Sequence, residues 1–159
     1  TQAAALATGQ WLALSTTQLG ALSTDAIAAL STRNVSLLPG ASLRSLSTDQ
    51  LQALSTGHMA ALTSAQVAAL SSAQIASLDT ADLNALGTAQ FRALGSAQAA
   101  ALTVGQVAAL ETADLAALSA PALRSVTTAA LAALGRAQIA ARKCRRSPKR
   151  SSPAWTAHT

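Results

Sequence analysis

The chain has 159 residues, half of them hydrophobic, a formal net charge of +5, one cysteine, and only Trp11, Phe91 and Trp155 as aromatics. Ala and Leu dominate the apolar half and Val and Ile are few, a balance that favours helix over sheet, while Cys144 alone excludes an internal disulfide. The longest charge-free runs, 1–24 and 50–78, carry Ser, Thr or Gln throughout, which makes them too polar for a transmembrane span.

The start of the chain shows neither a basic signal-peptide region nor an initiator Met, so the sequence reads as a processed product or a piece of a longer protein. From Leu6 to Leu134 a leucine then recurs every eight residues, with Val126 the one replacement, and the register never slips. Seventeen octads cover 6–141, and 62–86 shows the word most clearly: Leu, a small cap residue, Ser or Thr, a variable residue, Gln or Asp, a branched aliphatic, and two mostly small residues. Any core must therefore be linear, because each segment carries the same information as its neighbour.

One continuous helix does not suit this period. Eight residues advance about 800°, so the leucine stripe would drift by about 80° per octad and leave no fixed face to bury. Each octad instead carries its own helix start. In the octad from Leu70, Ser71 is the N-cap, Gln74 stands three residues on at the capping-box offset, and Leu70 and Ile75 have the spacing of a hydrophobic staple. The alternative, that the Thr or Ser after the cap is the true cap, shifts each boundary by one residue. Pro39 and Gly40 replace both cap and Thr, so a kink or irregular turn is expected there. Pro121 falls at the second helical position, in the first turn where proline is tolerated. Helices of about one and a half turns are unstable alone and must stack. The expected fold is all-α: a solenoid or superhelical spiral of very short helices, Leu and the aliphatic inward, Ser, Thr and Gln outward. A β-solenoid is the alternative, because snippets such as 81–83 and 113–115 look like pentapeptide repeats, although the period is eight.

The octads offer no preorganised acid, base or nucleophile, so an enzyme is not expected, nor a cofactor or a metal. His58 takes the Gln position of its octad and is read as an exposed first-turn residue; His158 has no partner in sequence. Asp79 and Asp82 sit at cap and box positions, where the helix dipole explains them better than a metal does. Gly87 and Gly95 replace caps and form no phosphate loop. The recurrent Thr16, Thr24, Thr32, Thr48 and Thr56 follow the cap, and an ice-binding face is the less favoured reading.

Charge divides the chain in two. Residues 1–141 hold five arginines against six acids, a net of −1, while Arg142, Lys143, Arg145, Arg146, Lys149 and Arg150 fall within nine residues of a separate tail, 142–159. Clustered cations displace counterions from phosphate backbones, which makes these six residues candidate nucleic-acid contacts. Ser147 to Arg150 also resembles the SPKK-type minor-groove motif of histone tails. The plainer reading is a disordered basic end, or the product of a shifted reading frame, since Lys is absent upstream.

The word A-L-[ST]-T-x-Q-[LIV]-x, seen at 53–56 and 69–75, resembles the Ala/Leu/Thr/Gln octapeptide arrays of very large bacterial surface and secreted proteins, some of them adhesin-like or haemolysin-like. The resemblance spans 6–141 and carries no catalytic residues. It implies an exported, cell-surface or extracellular segment that is structural or adhesive, with a surface ligand or neighbouring domains of the same polypeptide as partners. Association with nucleic acid through 142–150 is the alternative function and depends on the tail being genuine.

Overall fold

A computed structural model describes residue 11 and residues 13–132. Among these residues there are fifteen short helices and no strand. In chain order they are α1 Thr16–Gly20, α2 Thr24–Ala28, α3 Thr32–Leu37, α4 Gly40–Ser45, α5 Thr48–Gln52, α6 Thr56–Ala61, α7 Ser64–Ala69, α8 Ser72–Ser77, α9 Thr80–Ala85, α10 Thr88–Ala93, α11 Ser96–Ala100, α12 Val104–Ala109, α13 Thr112–Ala117, α14 Ala120–Ser125 and α15 Thr128–Ala132. The helical spiral is what the octad encodes; the β-solenoid alternative falls.

Each helix begins where the cap pattern places it. The residue after each Leu, and not the following Thr, is the N-cap, in extended conformation. Ser71 has φ −75° and ψ 160°, and its hydroxyl accepts the Gln74 N–H at 3.2 Å. Most helices end on the next Leu, also extended, as Leu78 does at φ −61° and ψ 139°. The corner between two helices is therefore two extended residues, Leu then cap. No described residue has a positive φ, so the array turns without the left-handed glycine that commonly ends helices. The Leu N–H is satisfied by the carbonyl three residues back, as from Leu70 to Val67 at 3.2 Å, a tightening common in last turns.

Packing follows one rule along the array. Every helix lies against the helix three octads away: α1 on α4, α2 on α5, and so on to α12 on α15. Cross-links between these neighbours recur at a separation of 25 residues. The Gln52 side-chain amide donates to the Ser77 carbonyl at 2.7 Å, and Asn84 repeats this to Ala109 at 3.0 Å. Two apolar rows face inward. The residue at the staple's inner end, such as Ile75, Leu83 or Phe91, is 0% exposed, and the Leu row is nearly as buried. Together they form one continuous core, so helices too short to stand alone are held by stacking.

The structure corrects the expectation at Pro39. No irregular turn forms there. Pro39, at φ −58° and ψ 144°, is an N-cap in extended conformation, and α4 follows it regularly. Proline fits because its fixed φ suits that position and because Ser42 replaces the Gln whose side-chain oxygen elsewhere accepts the cap N–H. Gly40 is needed for contact: a Cβ there would lie 2.7 Å from the Ala69 Cβ of α7. Gly105, in α12, has no such neighbour within 4 Å. Gly105→Ala is therefore expected to stabilise by about 0.5–1 kcal/mol through helix propensity. Gly40→Ala should destabilise by about 1–3 kcal/mol through overpacking. Chemical denaturation of the two variants side by side checks the pair, and equal signs would contradict the contact.

Candidate functional site

The repeated polar feature of the array lies inside it. Gln50, Gln66, Gln74, Gln98 and Gln106 are all buried, although the sequence reading turned the Gln row outward. Each Gln joins two helices that are four octads apart. The Gln66 Oε1 accepts the N–H of its own cap residue, Thr63, at 2.7 Å. Its Nε2 donates to the carbonyls of Val35 and Leu38 at 2.8 and 2.7 Å, at the end of α3. Gln106 does the same, from the Thr103 N–H at 2.8 Å to the carbonyls of Ile75 at 2.9 Å and Leu78 at 2.8 Å. Gln50, Gln74 and Gln98 repeat the pattern, and Gln90 reaches Leu62 alone at 2.9 Å.

The arrangement satisfies both ends of the short helices with one amide. Helix starts leave unpaired N–H groups and helix ends leave unpaired carbonyls, and a helix of six residues is nearly all ends. The amide oxygen serves the start of one helix, and the amide nitrogen serves the end of the helix four octads earlier. Because helix n packs on n−3 and its Gln reaches n−4, one turn of the superhelix takes between three and four octads. Successive Thr rows are thereby carried around the spiral and form no single flat face.

His58 is also corrected. It is 6% exposed and fills a rung of the same ladder. Its Nδ1 accepts the Ser55 N–H at 3.0 Å, which leaves the proton on Nε2 to donate to the Leu30 carbonyl at 2.7 Å. An imidazole in this tautomer reproduces the acceptor and donor of a Gln amide. At Gly87 and Gly95, with no cap side chain, the backbone N–H still donates to Gln90 and Gln98 at 3.1 and 2.8 Å.

Asp79 caps α9 as expected, accepting the Asp82 N–H at 2.7 Å. Asp82 itself is buried, as is Asp114 in the corresponding place of α13. Burial pushes the Asp82 carboxyl above its ordinary range and the Asp79 charge adds to it; burial and then Glu111 do the same for Asp114. Among the described residues no group of three or more His, Cys, Asp or Glu could hold a metal, and no helix is long and apolar enough to cross a membrane. A shallow groove between octads is lined by Arg44, Ser71, Ser72, Ser96 and small neighbours. The candidate nucleic-acid contacts Arg142, Lys143, Arg145, Arg146, Lys149 and Arg150 lie outside the described residues, as do Cys144 and His158.

A cap, a buried aliphatic and a bridging amide in successive octads define a helical repeat protein whose polar chemistry is directed at its own neighbours. Its family is visible in the same residues. The family model for the ALTTAQ repeat matches five overlapping segments, 3–40, 37–64, 51–80, 75–112 and 107–141, and the chain belongs to that family. No curated protein and no solved structure matches it.

Proposed function

We propose that the array is a non-catalytic structural segment, a spacer, stalk or adhesive scaffold within a longer surface or secreted protein. The observation that carries this reading is the amide ladder. The recurring Gln and His58 bond to the backbone four octads back and the cap hydroxyls to the backbone of their own octad, so the polar groups that define the repeat build length. An array of this kind has stability set by neighbour terms and length set by repeat number. The likeness of its word to octapeptide arrays of large bacterial surface proteins supports an exported location, with attached domains or a surface ligand as partners. Repetition would let weak contacts add by avidity.

The test is to remove or insert whole octads within 62–110 and measure the particle's maximum dimension by small-angle scattering. Reach should change in equal steps per octad while domains attached at the ends keep their activity. Loss of a specific activity on removing one octad, with folding intact, would overturn the reading. The six cations at 142–150 favour a second reading, nucleic-acid association. It predicts DNA affinity that falls steeply with salt and is lost when the tail is deleted. Binding that survives the deletion refutes it.

A further inference from the structure

Two rungs of the ladder are filled by side chains that cannot donate when ionised. Asp82 and Asp114 occupy the Gln position of α9 and α13, each 5% exposed. The register that sends Gln66 to Val35 and Leu38 sets Asp82 over Leu51 and Leu54, and Asp114 over Leu83 and Leu86. Where the position holds a buried Gln, the terminal carbonyl is served: Leu38, Leu46, Leu70 and Leu78 each accept a Gln amide. Among the described residues no side chain donates to the carbonyls of Leu54 and Leu86. The two acids are four octads apart, one ladder step, so the gap in the ladder is stacked on itself.

We propose that Asp82 and Asp114 are two acid-closed rungs of the superhelix. Each carboxylate takes a proton from solvent as the pH falls, and the new O–H donates to the terminal carbonyl of the helix four octads back, Leu54 or Leu86. At neutral pH the ionised carboxylates have no proton to offer those carbonyls, and the cross-octad amide bond of the ladder is not made at these two places. The raised affinity of both acids for a proton agrees in direction. A carboxyl whose pKa is raised on folding adds stability in full below its unfolded value, and that stability is lost as the pH rises through the folded value. The array is therefore tightened by acid at these two places.

The other titratable or charged groups around them have separate roles or positions. Asp79 and Glu111 are the preceding caps. Of the helices packed on α9, α6 brings His58 and α12 brings no charge; α5, below its start, brings Asp49. Packed on α13, α10 brings Arg92, and α9, below it, brings Asp82. His58 is replaced by Gln in both chains, so that the rung it fills is the same amide in each.

The experiment compares the full chain carrying His58→Gln with the same chain carrying Asp82→Gln and Asp114→Gln as well, by thermal unfolding followed in the far-ultraviolet. The Gln pair supplies donors at every pH. It should melt higher by on the order of 5 °C at about pH 7, and the gap should narrow as the buffer is taken to about pH 4, leaving the part due to the cap N–H that a Gln accepts at every pH. A gap that stays constant over that range, or no gap at about pH 7, overturns the proposal. The Asp82→Asn, Asp114→Asn pair, which keeps the side-chain length, is read in the same way if the Gln pair does not fold. Neither outcome bears on the stalk reading, which rests on the ladder as a whole.

Discussion

Gln74→Glu should destabilise the array by about 3–5 kcal/mol at neutral pH, the range for leaving a charge buried without its partner. The Gln74 oxygen accepts the Ser71 N–H at 2.8 Å, and a glutamate could keep that bond. The nitrogen donates to Leu43 and Leu46 at 2.9 Å each, and a glutamate cannot replace it. The capping box treats Glu and Gln as equivalents. The substitution therefore separates local capping, which predicts a neutral result, from the ladder, which predicts a severe one. Gln74→Met removes the charge from the comparison and leaves the Leu46 carbonyl and the Ser71 N–H without their side-chain partner, for an expected loss of about 1–3 kcal/mol. Denaturant unfolding of the whole chain measures both. A glutamate variant within about 0.5 kcal/mol of the parent, the ordinary range of a surface change, would mean that the cross-octad bonds contribute nothing net.

This distinction also marks how far the sequence could be read. The octad register, the cap after each Leu, the first-turn position of Pro121 and the inward Leu and aliphatic rows were all legible, because each depends on residues within one octad. The inward turn of Gln66 was not. Its partners Val35 and Leu38 are 31 and 28 residues away, and no rule applied to one octad can find them. A signal was nevertheless present: the box position takes Gln, Asp, Asn, His, Ser and Ala across the array but never Glu. Gln stands there more often than any other residue; capping alone gives Glu equal standing, whereas an amide that also donates across octads favours Gln. His58 was misread for the same cause. Taken as a first-turn residue it looks exposed, but as a donor–acceptor pair it belongs with Gln. Pro39 was misread because it was judged by the lost cap side chain and Thr alone, whereas Ser42, three residues on, had already removed the acceptor for a cap N–H.

Phe91→Ala should cost about 3–5 kcal/mol, at the upper end of that range, because the core around it has little with which to collapse. Phe91 is 0% exposed at the inner aliphatic row, and the next member of that row is Ala99, also 0% exposed. Protein interiors hold near-constant packing density, and here the largest buried residue of the array after Trp11 stands next in order to one of the smallest. Truncating Phe91 puts two alanines in succession and leaves a void that the short helices, each fixed by neighbours three and four octads away, cannot close without breaking contacts on both sides. Ala99→Leu in the parent should be destabilising by about 1–3 kcal/mol through overpacking. Combined with Phe91→Ala, the same change should recover part of the loss, giving a coupling energy on the order of 1 kcal/mol in a double-mutant cycle. Strict additivity would mean that consecutive octads pack as separate cells. Coupling would mean that they share one interior, in which the volume of Phe91 is offset by the small Ala99 of the next octad.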